Sequence, residues 1–135
     1  MRKLDPHELG DDVRIYRRVH KRTVKFVDGA MKPDRSVYKK RAGGEQPSAY
    51  RGDQLGEDPV AVVLENRPDD GLVSISAGRL RELGQELWED IDSEDANEVR
   101  GRAHLVIDGP KSGSARADLV EASVWERKPP PVNET

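Results

Sequence analysis

Val13-Arg14-Ile15-Tyr16-Arg17-Arg18-Val19-His20 alternates with a period of two. Val13, Ile15 and Val19 share one face, and Arg14, Tyr16, Arg18 and His20 share the other, which is the pattern of a half-buried β-strand. Arg17 interrupts the apolar face. It marks either a bulge or strand end, or an arginine held in a pocket.

Further strands follow outward from this one. Thr23-Val24-Lys25-Phe26-Val27 reads as a second, closed by the turn pair Asp28-Gly29. Ser36-Val37-Tyr38-Lys39 reads as a short third, and residues 40–58, with four glycines and a proline, as a long loop. Pro59-Val60-Ala61-Val62-Val63-Leu64 is an apolar run expected to be a buried strand, with helix as the competitor. Leu72-Val73-Ser74-Ile75 is a strand that runs into Ser76, a good N-cap. A helix is predicted from Ala77 to Trp88, with Leu80, Leu83 and Leu87 on one stripe. Glu86 to Glu98 holds seven acids and no base, and is expected to end that helix in a solvated loop. Ala103 to Ile107 is a strand, Gly109-Pro110-Lys111-Ser112-Gly113 a turn, Ser114 to Ala122 a second helix, and Val124-Trp125-Glu126 a last short strand. The expected fold is therefore α+β, a small mixed or mainly antiparallel sheet with about two helices. Residues 1–12 form a polar lead-in, 13–127 the single domain, and 128–135 a Pro-rich, disordered tail.

Bulk properties narrow the classes. The 135 residues suit one domain, and 36% charged against 34% hydrophobic residues leaves a thin core. With no cysteine, disulfides and thiolate metal sites are excluded. No apolar stretch is long enough to span a bilayer, and Met1-Arg2-Lys3-Leu4-Asp5-Pro6 lacks the apolar run of a secretory signal. A cytoplasmic location, with no membrane partner, is the default.

The net charge of −3 conceals a polarised layout. Arg14 to Arg41 carries eleven Lys/Arg and two acids, whereas Ala42 to Thr135 carries ten Lys/Arg and twenty acids. Either the basic part meets an anionic partner, or the two parts neutralise each other. All the Tyr and Phe residues (Tyr16, Phe26, Tyr38 and Tyr50) lie in the first 50 positions. Cationic side chains interleaved with flat rings suit nucleic acid, and Arg14, Tyr16, Arg18 and His20 on one strand face, with Tyr38 nearby, offer both. The blander reading makes them sheet-surface charges and core rings. A second basic point precedes the last helix, where Lys111, Ser112 and Arg116 surround a helix start that would favour a phosphate. The Walker spacing is absent, and a plain capped helix accounts for the same residues. Of the histidines His7, His20 and His104, the last two sit on strands and have the pKa range of acid–base groups. Neither a metal-ligand spacing nor a cofactor motif is readable.

The segments Tyr16-Arg17-Arg18-Val19-His20, Ser74-Ile75-Ser76-Ala77-Gly78-Arg79 with Leu83-Gly84-Gln85, and His104-x-x-Ile107-x-Gly109-x-Lys111 with Arg116 resemble a family of small bacterial proteins with no assigned activity. That family carries a further serine/phenylalanine segment, for which Ser36-Val37-Tyr38 or Ser48-Ala49-Tyr50 stands in. The resemblance implies one site holding His20, His104, Lys111 and Arg116. Tyr16-Arg17 and Ser36 also resemble the strand residues of ADP-ribosyltransferase-like folds, although no catalytic glutamate motif accompanies them.

Three functions follow as expectations. The first is a non-catalytic module that binds an anionic partner, nucleic acid or a phosphate group, with Arg14, Arg17, Arg18, His20, His104, Lys111, Ser112 and Arg116 as contacts. The second is a protein–protein adaptor using the acidic segment or the proline tail. The third is a small enzyme on a nucleotide or phosphate-bearing substrate, in which His20 or His104 moves a proton.

Overall fold

The alternation in the first long strand sits near the middle of a seven-stranded sheet. The computed structural model describes residues 1–130. Its strands are β1 (Arg2–Lys3), β2 (Arg14–Val19), β3 (Val24–Val27), β4 (Ala30–Pro33), β5 (Ser48–Arg51), β6 (Gly71–Ser76), β7 (Glu86–Glu89), β8 (His104–Asp108) and β9 (Val124–Arg127). The helices are α1 (Pro59–Val63), α2 (Ala77–Glu82), α3 (Glu98–Ala103) and α4 (Gly113–Ala122), with 3-10 turns at Arg35–Tyr38 and Gly52–Gln54. The sheet order is β1-β7-β8-β5-β2-β6-β9, antiparallel at every pairing, and β3 and β4 form a separate hairpin. The α+β expectation holds, with two short helices beyond the two foreseen.

Both sheet faces carry apolar residues. Ile15, Val19, Ala49, Val73, Ile75, Leu87, Leu105 and Ile107 form the main core with Leu80, Leu119 and Tyr38. The opposite face packs Tyr16, Tyr50 and Leu72 against Val63, Leu64 and Ala103. That second layer covers only part of its face. The lead-in belongs to the domain, since Arg2–Lys3 pairs with β7 and Leu4 and Leu9 are core residues.

Several local expectations are overturned. Ser36–Lys39 is not a strand: Asp34 accepts the Ser36 N–H and starts a 3-10 turn. Pro59–Leu64 takes the helical alternative, because Asp58 caps the Ala61 N–H and Pro59 suits the first helical turn. The 77–88 helix stops at Glu82, where Gly84 turns the chain with φ 83°. Leu87 therefore enters the core from a strand. The acidic run is not all loop, because it ends in β7 on one side and begins α3 on the other. Residues 40–58 contain β5. Of the expected tail, Pro129 is buried against Gly71, and residues 131–135 lie outside those described.

Arg17 is the pocketed arginine, not a bulge. Its Nε and Nη2 donate to the Val37 carbonyl at 3.1 and 2.9 Å, and its Nη1 donates to the Ser48 carbonyl at 2.7 Å. Burial pushes its pKa down to about 10, which leaves it charged at neutral pH. Arg17→Met keeps the volume but strands two carbonyls without donors. It is expected to lower unfolding free energy by about 2–3 kcal/mol in urea titrations; a change within ~0.5 kcal/mol, the usual effect of a surface substitution, would show that the three bonds contribute nothing net.

Candidate functional site

Two charged surfaces emerge from this framework, on different parts of the molecule. The first is a groove of about 940 Å³ on the incompletely covered sheet face. Strand register sets its floor. Trp88, Val106 and Ser48 stand side by side on β7, β8 and β5, and His104 stands beside Tyr50. The Tyr50 and His104 rings meet edge-to-face with centroids 5.5 Å apart. His104 Nδ1 donates to the Asp90 carbonyl at 2.6 Å. Arg18 donates to Tyr50 Oη at 2.9 Å and to Asn66 at 3.1 Å, with its guanidinium carbon 5.5 Å from the Tyr50 ring centre.

One wall is the loop between β7 and α3. Arg100, 2% exposed, grips Asp95 through Nε at 2.9 Å and Nη2 at 2.6 Å, and donates to the Val62 carbonyl. Asp92 N–H donates to the Gly101 carbonyl at 2.9 Å, and a side chain at Gly101 would collide with the Asp92 carbonyl. Sequence reasoning missed this wall. The Asn97 N-cap and the i, i+5 Asp95–Arg100 spacing were its only signals.

The second surface is the β3–β4 hairpin with α4 and β9. Asp28 and Gly29, at φ 52° and 80°, make the tight turn. Register puts Lys25 directly opposite Lys32 and Phe26 opposite Met31. A groove of about 670 Å³ runs between hairpin and helix, with Lys25, Lys32, Arg35, Lys128 and Trp125 among its lining. Trp125 Nε1 donates to the Met31 carbonyl at 3.1 Å and ties the hairpin down. Phe26 is 67% exposed. Of the eleven basic residues from Arg14 to Arg41, only Arg41 forms an ion pair among the described residues, with Glu45 at 4.0 Å.

The expected site residues are dispersed between and beyond these surfaces. Arg14 is occupied by Ser74, with 3.1 Å and 2.9 Å bonds to its hydroxyl. Tyr16 and Tyr38 are buried and offer no ring for stacking; Tyr38 bonds Ser123 at 2.6 Å, and burial raises its pKa to about 12. Tyr16 and Arg17 point to opposite faces, as neighbours on a strand must. His20 is exposed beyond β2, where its ring accepts the Arg22 N–H. β5 lies between its strand and that of His104. Lys111 Nζ is enclosed by Gln46, Gln85 and the carbonyls of Ile107 and Gly109 at 2.5–3.2 Å, and burial pushes its pKa down to about 8. Ser112 caps α4 through the Ala115 N–H, and Arg116 is partly buried with its Nε unbonded among the described residues. The implied four-residue site does not form. The helix start does approach the hairpin surface, since Arg35 Nη1 would lie 3.7 Å from a Cβ on Gly113.

Among the described residues no helix is long and apolar enough to cross a membrane, and no group of three or more His, Asp or Glu is placed to hold a metal ion. No protein-family model, curated protein or solved structure matches this chain.

The groove wall carries a pH signature. Hydrogen bonds from Arg100 hold Asp95 below the usual carboxylate range. A depressed folded pKa means stabilisation that is complete above about pH 4, the unfolded value, and lost as pH falls through the folded one. Asp95→Asn is expected to be less stable than the parent at pH 7, with the gap narrowing at pH 3. Urea midpoints at the two pH values check this; a constant gap would sink it.

Proposed function

We propose that this protein binds a nucleic acid strand through the β3–β4 hairpin and the adjoining groove, as a non-catalytic module in the bacterial cytoplasm. The observation that carries the reading is Lys25 directly opposite Lys32, neither of them in an ion pair among the described residues. Like charges directly opposite on paired strands destabilise a hairpin. A two-stranded hairpin is marginal in any case. An anionic ligand removes that repulsion, and a polyanion releases counterions as it does so.

The surroundings suit bases as well as phosphates. Lys25 and Lys32 alternate with Val27 and Ala30 on the face toward the groove, and Phe26 stands exposed on the other face. Arg35 extends the cationic strip to the start of α4, and partly exposed Trp125 lies against the hairpin at Met31. A flat ring beside lysines with apolar stems is what an unstacked base meets in single-strand recognition. The anionic partner expected from composition is thus assigned to the hairpin, not to the Arg14–His20 strand face, whose arginines are already occupied.

Fluorescence anisotropy with a labelled single-stranded oligonucleotide tests the proposal. Affinity is expected to fall as salt rises, and each lysine–phosphate contact removed should reduce the log–log slope by about 0.7. Lys32→Glu separates binding from folding. It is expected to weaken binding at least tenfold yet raise stability by about 0.5 kcal/mol, because it turns a like-charge pair into an opposite one. Salt-independent binding, or full binding by the Lys32→Glu variant, would overturn the reading.

A further inference from the structure

From the other surface we infer that the sheet-face groove docks an arginine-bearing segment of a partner protein. The groove is lined by seven carboxylates and three guanidinium groups. Two of those guanidiniums are spoken for: Arg100 is bonded to Asp95, and Arg18 lies over Tyr50. Asp92 and Glu94 form no ion pair among the described residues, and they face the same space as Glu65 and Asp108. Arg100, Gly101 and Asn97 hold the loop that carries Asp92 and Glu94, so that wall is fixed before any ligand arrives. Asn97 Nδ2 donates to Glu65 at 3.1 Å and joins the second wall to the first.

The floor points to guanidinium in particular. Trp88 and His104 are flat, partly exposed groups of the floor, and Tyr50 beside them is buried against the second layer. The Tyr50 ring already takes one guanidinium, that of Arg18, at 5.5 Å. Trp88 Nε1 is shielded from water and makes no hydrogen bond among the described residues. The Glu86 carboxylate on its strand face is engaged by Lys3 at 2.6 Å. Planar guanidinium groups stack on such rings while forking onto carboxylates, which an ammonium group does not do. Nucleic acid is repelled by the same carboxylates, so this surface and the hairpin select opposite partners.

The two tryptophans make the surfaces separately readable. In a Trp125→Phe background Trp88 alone reports, and an eight-residue Arg/Gly peptide is titrated against it. A saturable fluorescence change is expected, at least fivefold tighter than for the matching Lys/Gly peptide and absent for a Glu/Gly peptide. Glu94→Gln is expected to weaken the arginine peptide about threefold without shifting the thermal midpoint, since Glu94 is exposed and forms no ion pair among the described residues. The absence of a saturable change, or indifference to the carboxylate variant, would overturn the inference. Equal affinity for the arginine and lysine peptides would overturn the guanidinium assignment. Sedimentation velocity covers the remaining occupant: concentration-dependent association abolished by Lys25→Glu would mean that a second copy's hairpin fills the groove, and the separate partner would be discarded. None of these outcomes depends on oligonucleotide binding, which is read with Trp88→Phe protein.

Discussion

A cation at the edge of the main core organises this molecule. Arg17 points to the core side of β2 because strand geometry leaves it no alternative. Once there, its guanidinium has to find oxygen acceptors, since an unpaired buried charge is far costlier than a bonded one. It finds them on Val37 and Ser48, and so fastens the 3-10 turn and β5 to the central strand. With β5 in place, β8 and β7 follow as successive antiparallel neighbours. The floor of the acidic groove is built from these three strands. Lys111 repeats the device at the far end of β8, where its ammonium group joins Gln46, Gln85 and the chain on both sides of Gly109.

The two surfaces differ in how they are held. The acidic loop is fixed by a buried, bidentate ion pair, with carboxylate and guanidinium both largely removed from water. The basic hairpin is held at its base by the Asp34 N–H donating to the Thr23 carbonyl and nearer its tip by the Trp125–Met31 bond, while the Phe26 and Val27 side chains stand in solvent. The groove wall is tied down by its ion pair, and a rigid groove loses little conformational entropy on docking a peptide.

Much of the fold was legible. β2, β3, β6, β8 and β9 follow from alternation and turn residues, and α4 from the serine cap and the leucine that faces inward. What was not legible shares a cause. Ser36–Lys39 and Pro59–Leu64 are short runs that fit a strand or a helical turn equally well, and a single capping aspartate decided each. The 77–88 helix has a convincing leucine stripe, yet Gly84 and pairing with β8 convert its second half into β7. Tertiary pairing outweighs a weak helical preference there, because glycine already disfavours continuation.

The candidate site shows the same division. From the amino-acid order alone came the polarised charge, the concentration of bases and phenol rings in the front third, and Arg17 as an anomaly to be explained. These depend on composition and on the two-residue repeat of a strand, which any extended chain obeys. Only the tertiary structure decided which bases remain free. It buried Tyr16, Tyr38 and Tyr50, enclosed Lys111, occupied Arg14 and Arg17, and left Lys25, Lys32 and Phe26 in solvent. It also folded the acidic run into a wall over bare sheet. The reason is physical: whether a charge is available depends on which acceptors the fold brings within bonding distance, and those acceptors can lie sixty residues or more away in the chain, as Ser74 does from Arg14.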